Sequence, residues 1–173
     1  MEILGSGPPG QAPPPRKPAE YDATWRRPVP ALAGSVPRAR HAVRDLIRCR
    51  RVPLREDLLH GLLLIVSELV TNAVQHAAPL SPEVVLEVSV GPAWVRVAVE
   101  DSHPCRPRPA GPDGAGHDDG AEPRTGGRGL LIVQATVAEA GGMFDVEHTA
   151  GGGKVVWAAL PLHPVVTSRR RPR

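Results

Sequence analysis

Aromatic side chains are scarce in this chain: three Trp, one Tyr and one Phe in 173 residues. They are too few and too scattered for the stacking platform that single-stranded nucleic acid requires. Cysteine is equally rare. Cys49 falls in a helical stretch and Cys105 in a proline-rich one, without the repeated spacing of a disulfide framework or a zinc site, as expected for a reducing compartment. A dominant charge is missing too. The formal net charge is +3, and residues 169–173 alone supply four arginines, which leaves 17 basic against 18 acidic side chains. The pI of 9.4 is therefore mostly a property of the tail. A near-neutral body lacks the electrostatic footprint of a duplex binder, so no direct nucleic-acid contact is expected. Long hydrophobic runs are absent as well: the longest, Leu58 to Val70, is interrupted by His60, Ser67 and Glu68. With no charged start and apolar run at the N-terminus, neither a membrane span nor a signal peptide is expected, and the location read from the sequence is cytoplasmic.

What is abundant is proline and glycine, 21 and 18 residues, and their distribution divides the chain. Residues 1–22 read as a disordered Pro/Gly-rich leader with little apolar surface to bury. Residues 164–173 read as an Arg-rich tail. The body, 23–163, is one domain's worth of chain. In it, Thr24 to Val29 forms a weak edge strand, with Trp25 and Val29 inward and Pro28 tolerable only at an edge. Ala39, Ala42, Val43, Leu46 and Ile47 follow helical spacing within Val36 to Arg51. The other face of that helix carries Arg40, Arg44, Arg48 and Arg51, a docking surface for an acidic partner or simply a solvated face. Pro53 breaks it, and Leu54 to Ala77 follows as a long, mostly buried helix. EVVLEVSV (83–90) and WVRVAVED (94–101) alternate apolar with polar and form a hairpin. Residues 102–127 have hardly a large apolar side chain and read as a mobile lid. Leu130 to Ala140 is helical up to Gly141 and Gly142, and MFDVEHT (143–149) pairs with KVVWAALPL (154–162). The fold class is α+β, a two-layer α/β sandwich in which three helices cover one face of a mixed, mostly antiparallel sheet of four or five strands.

Three patterns bear chemistry. ELVTNAVQHA (68–77) places Glu68 and Asn72 one turn apart on the same helix face. Inside an apolar helix such a pair must be satisfied, and a metal-bound phosphate, with the Asn oxygen as ligand, is one way; a solvent-facing surface pair is the other. Asp101 ends a strand at the sheet edge, where its carboxylate could accept a ligand amine's hydrogen bond or simply form a turn. TGGRGLLIVQA (125–135) brings Gly126, Gly127 and Gly129 to a helix start, where backbone N–H groups and the dipole favour an anion. It is not a Walker loop, which needs a Lys-Ser/Thr pair after the glycines. His76, one turn after Asn72, either lines a pocket or caps the helix. Ser67 has no His-Asp arrangement beside it.

Taken in order, these segments resemble the histidine-kinase-like ATPases, the GHKL superfamily, and most closely its small anti-sigma-factor serine kinases and single-domain relatives, over residues 24–162. ELVTNAVQHA resembles the family's asparagine box, VRVAVED the strand entering the first glycine box, GGRGLLIVQA the second glycine box and GGGKVVWAALPL the last hairpin. The resemblance implies a Bergerat-type ATP-binding fold. It further implies Glu68 as general base, Asn72 as Mg²⁺ ligand, and Asp101 as acceptor for the adenine amino group. Gly127, Arg128, Gly129 and the helix start at Leu130 would hold the phosphates. The implied function is an ATP- and Mg²⁺-dependent protein serine/threonine kinase that binds a sigma factor and phosphorylates an antagonist protein, with homodimerisation left open. The alternative is a catalytically silent nucleotide-sensing or protein-binding module of the same fold. Two positions depart from the family pattern: Ser102-His103-Pro104-Cys105 replaces a glycine pair, and Lys154 stands where many members place a threonine beside the adenine.

Overall fold

The computed structural model describes residues 12–77, 82–102 and 127–163. The expected strand at residues 24–29 is β1 (Ala23–Pro30). Helices α1 (Ser35–Cys49) and α2 (Glu56–Ala77) follow, then strands β2 (Glu83–Val90) and β3 (Trp94–Asp101), helix α3 (Gly127–Ala140), and strands β4 (Met143–His148) and β5 (Lys154–Pro161). The five strands lie in the order β1-β2-β3-β5-β4. Every pairing is antiparallel, so the mixed component of the expected sheet is absent among the described residues. The central pairing joins β3 to β5 with Asp101 opposite Lys154.

Strand alternation sends Val84, Leu86, Val88, Val95, Val97, Val99, Val156, Ala158 and Leu160 to one face, where they form one core with Val43, Ile47, Leu62, Ile65, Val66, Leu69 and Val133 of the helices. α2 lies against β2, β3 and β5, α3 against β4 and β5, and α1 against α2 and β1. By length and hydropathy the Glu56–His76 stretch could cross a membrane; its Leu62, Ile65, Val66 and Val70 are instead buried in this core.

Two helices end by the same device. After α1, Arg51 N–H donates to Arg48 O at 3.1 Å and Val52 N–H to Ile47 O at 3.1 Å, with Arg51 at φ 50°. This is a Schellman closure with a left-handed residue. Arg51 is thereby turned off the helix, and the expected basic stripe loses its last member. After α3 the left-handed residue is Gly141 at φ 69°, and Gly142 N–H reaches Val137 O at 2.8 Å.

The expected disordered leader is corrected in its second half. Residues 12–22 form a strap across the face of the sheet away from the helices. Trp94 Nε1 donates to Ala12 O at 3.1 Å and Tyr21 OH to Pro15 O at 2.9 Å. Arg16 reaches Asp145 at 3.4 Å, and a short 3-10 turn spans Pro18–Glu20. Tyr21 of the strap and Trp94, Ala98, Trp157 and Ala159 of the sheet make a second, smaller core. Two polar residues on this face, Arg96 and Glu87, are buried as a pair. Arg96 donates to Glu87 at 2.5 Å and lies 5.1 Å from the Trp157 ring centroid, while Trp157 Nε1 donates to Glu147 at 3.0 Å.

The sheet's edges are β1 and β4. Ala31 N–H donates to Pro82 O at 2.8 Å, so odd-numbered residues of the first strand turn their backbone groups toward β2. Pro28 and Pro30 fall at outward positions, where a missing N–H costs no ladder bond. The expected lid (102–127) lies outside the described residues except for Ser102 and Gly127, and the tail (164–173) lies outside them entirely.

Candidate functional site

Glu68 and Asn72 sit in the second half of α2, a helix with no interior glycine except Gly61 and no proline, which keeps the two at one-turn spacing. Both meet the inner layer rather than solvent. Glu68 is half-buried, and its carboxylate lies against the α-carbon of Gly129: a β-carbon built there would come within 2.5 Å of Glu68 Oε2. Gly129 thus makes room for the carboxylate at the first turn of α3. Asn72 is only 5% exposed, and its Oδ1 has no hydrogen-bond partner among the described residues. A buried acceptor without a partner is costly unless something supplies the missing positive end. An oxygen of this kind suits a hard cation such as Mg²⁺.

α3 begins at Gly127, three residues before the helix expected from periodicity alone. Its first turn is therefore Gly127, Arg128, Gly129 and Leu130, the residues whose backbone N–H groups have no intrahelical acceptor. Arg128 is exposed, and Leu130 points its side chain into the core. The helix start thus offers anion-binding donors beside the Glu68 carboxylate, with the exposed Arg128 cation on the same turn.

Asp101 and Lys154 face each other across the β3 and β5 ladder on the helix-covered side. Lys154 Nζ donates to Asp101 Oδ1 at 2.9 Å, and both side chains are 1% exposed. Gly153 allows the approach, since a β-carbon there would strike the Asp101 carbonyl oxygen. The β4 to β5 turn is fixed by Thr149, whose hydroxyl accepts the Gly153 N–H at 3.0 Å. Sequence reasoning identified Lys154 only as a departure from a family pattern and missed that it pairs with Asp101. The signal was the strand register, which appears once residues 53 apart are known to be neighbours.

The structure therefore brings Glu68 together with Gly129, and Asp101 together with Lys154 and Gly153. α2 links these groups by packing on α3, β3 and β5. His76 is half-buried near the end of α2. The Ser67 hydroxyl donates to Leu63 O at 2.8 Å. Cys105, His103 and Pro104 lie outside the described residues.

A family model described as the histidine kinase-like ATPase domain matches residues 29–160. No curated protein matches. Among solved structures, a mycobacterial sensor histidine kinase, MprB, is 18% identical with a TM-score of 0.46, covering 80% of this chain and 100% of that one. The blue-light activated histidine kinase EL346 of Erythrobacter litoralis is 29% identical with a TM-score of 0.45, covering 63% of this chain and 32% of that one. The catalytic domain of the histidine kinase ThkA is 19% identical with a TM-score of 0.44, covering 82% and 99%.

Proposed function

Because this chain belongs to the histidine kinase-like ATPase domain family, an ATP-binding, kinase-type group, we propose that it is an ATP- and Mg²⁺-dependent protein serine/threonine kinase of the anti-sigma type. In this reading it binds a sigma factor and phosphorylates the antagonist protein that would displace it. The observation that carries the reading is the Glu68 carboxylate lodged against Gly129 at the start of α3, with Asn72 Oδ1, which has no hydrogen-bond partner among the described residues, one turn along the same helix.

Phosphoryl transfer is governed by positioning and charge neutralisation. The donors of Gly127, Gly129 and Leu130, with the Arg128 guanidinium, hold the phosphate chain at the helix start. Glu68, beside the Gly129 backbone, takes the proton from the acceptor hydroxyl as its oxygen bonds to the γ-phosphorus of ATP, while the bond from that phosphorus to the bridging oxygen breaks and ADP leaves. Asn72 would ligate Mg²⁺, which when bound neutralises phosphate charge. In this reading Asp101 accepts the hydrogen bond of the adenine amino group. For the protein partner, the outward side of α1 with Arg40, Arg44 and Arg48 offers a basic surface to an acidic one.

The test is transfer of labelled phosphate from Mg·ATP to a candidate antagonist, with Glu68→Gln beside the wild type. General-base loss lowers transfer by about 10²–10⁴-fold while ATP binding persists. Transfer unchanged in Glu68→Gln removes the carboxylate from this role. ATP binding by the wild type without transfer to any antagonist identifies the silent nucleotide-sensing module instead.

A further inference from the structure

The strap has the chemistry of a bound ligand. Residues 12–18 read Ala-Pro-Pro-Pro-Arg-Lys-Pro. Each proline fixes its own φ at about −65° and keeps the residue before it extended, so the segment favours a polyproline II helix, which turns once in three residues and leaves its carbonyls free. Two of those carbonyls, three residues apart, are gripped by aromatic donors: Ala12 O accepts from Trp94 Nε1 at 3.1 Å and Pro15 O from Tyr21 OH at 2.9 Å. One turn separates them, which puts both on the same side of the segment. Between them Pro14 is buried while Pro13 is exposed. After the prolines, Arg16 meets Asp145 at 3.4 Å and gives the segment a direction. Tyr21, Trp94 and Trp157 of the small core are three of the chain's five aromatics, so the scarce rings are concentrated where the prolines lie. Aromatic-lined grooves take proline-rich peptides in this manner.

The occupant is replaceable. Ala12, Pro13, Arg16 and Lys17 are exposed, and an exposed ion pair such as that of Arg16 adds little. Among the described residues no backbone-to-backbone hydrogen bond joins residues 12–22 to the sheet, so the strap can lift without breaking a ladder. It also fills its groove incompletely. A cavity of about 220 Å³ is lined by Arg16, Lys17 and Pro18 of the strap together with Val85, Ala98 and Val155 of the sheet. A ligand with a larger side chain there gains contacts that the strap does not make.

We propose that the face of the sheet away from the helices is a docking site for proline-rich peptides, that residues 12–18 are its built-in occupant, and that the ligand which replaces them is a segment of another protein in which consecutive prolines precede a basic residue. A second copy of this chain is a poor competitor, because its identical segment faces a tethered one present at about millimolar effective concentration. The site lies across the sheet from Glu68 and Asn72, and nothing in it depends on the nucleotide reading.

The probe is a fluorescently labelled peptide, APPPRKP, titrated by anisotropy against the full chain and against a full-chain variant carrying Pro13→Gly, Pro14→Gly and Pro15→Gly, whose strap no longer favours the docked conformation. The variant is expected to bind the peptide about tenfold or more tighter than the wild type, since the tethered competitor is gone. The control peptide AGGGRKP is expected to bind it about tenfold or more weaker, because it is not preorganised. Trp94→Phe added to the variant should weaken binding about fivefold for the lost indole bond. A folded variant that takes up no APPPRKP at millimolar concentration, that takes up AGGGRKP equally well, or that binds no better than the wild type overturns the proposal. So does a variant that fails to unfold cooperatively, because the strap is then part of the fold and not an occupant. Unchanged binding with Trp94→Phe places the peptide elsewhere and overturns it too. Wild-type dimers in sedimentation at micromolar concentration that the variant lacks assign the groove to a second copy and overturn the choice of partner.

Discussion

The carboxylate of Glu68 and the α-carbon of Gly129 occupy adjoining space: no side chain fits on the third residue of α3 without displacing Glu68 Oε2. The atom in the way is the tip of a flexible side chain, so an added methyl group shifts the carboxylate and leaves the backbone where it is. Position and fold are thereby separable at this point.

Gly129→Ala is accordingly expected to lower phosphate transfer by about tenfold or more, since small misplacements of a reacting group are expensive. Stability should change little, because alanine gains about 1 kcal/mol of helix propensity over glycine and offsets the local crowding. Initial rates alongside thermal denaturation check this. A large fall in melting temperature would show that the backbone, not Glu68, gives way.

The Asn72 oxygen predicts a trade of function against stability. Asn72→Leu replaces a buried acceptor that has no partner among the described residues with an apolar group of similar volume, so the ligand-free protein should gain about 1–3 kcal/mol. ATP affinity should at the same time lose its dependence on Mg²⁺. Urea unfolding and calorimetry with and without chelator read the two effects. A less stable variant would mean that Oδ1 is compensated in the free protein.

Tyr21 predicts an alkaline limit for the strap. Burial raises its phenol above the usual value, Arg96 pulls it down, and Glu20 and Glu87 add to the rise. A group with a raised folded pKa contributes its full stability below the unfolded value of about 10 and loses it as pH climbs beyond. The chain has a single Tyr, so tyrosinate absorbance reports on this residue alone. It should appear together with the fluorescence change of Trp94 and Trp157 as the strap leaves. Tyr21→Phe should abolish the alkaline loss and cost about 1 kcal/mol at neutral pH for the bond to Pro15. Ionisation near pH 10 with the tryptophans undisturbed would show that the strap does not seal the phenol.

Much of this architecture was legible because it is periodic. The two-residue alternation of 83–90 and 94–101 defined β2 and β3 to the residue, and the apolar density of α2 marked the core helix. Boundaries set by backbone chemistry were less legible. α1 stops at Cys49 because Arg51 adopts a left-handed conformation that composition does not advertise. α3 starts at Gly127 although glycine is a poor helix former, because its first turn needs close approach more than propensity. The strap was missed for a different reason. A proline-rich segment lacks periodicity, and its docking is encoded in single long-range bonds, Tyr21 to Pro15 and Trp94 to Ala12. At the site, the shared helix face of Glu68 and Asn72 was legible from their spacing and their roles only from the family resemblance, whereas the coupling of Asp101 to Lys154 required the strand order.

The prolines on the rim of β1 have a consequence for assembly. With Pro28 and Pro30 turned outward, that border offers no continuous row of donors, and the opposite border, β4, is six residues long and carries Asp145 and Glu147. A foreign extended peptide finds poor purchase as a sixth ribbon on either side. Whatever this protein grips is therefore better met through side chains than by backbone annexation.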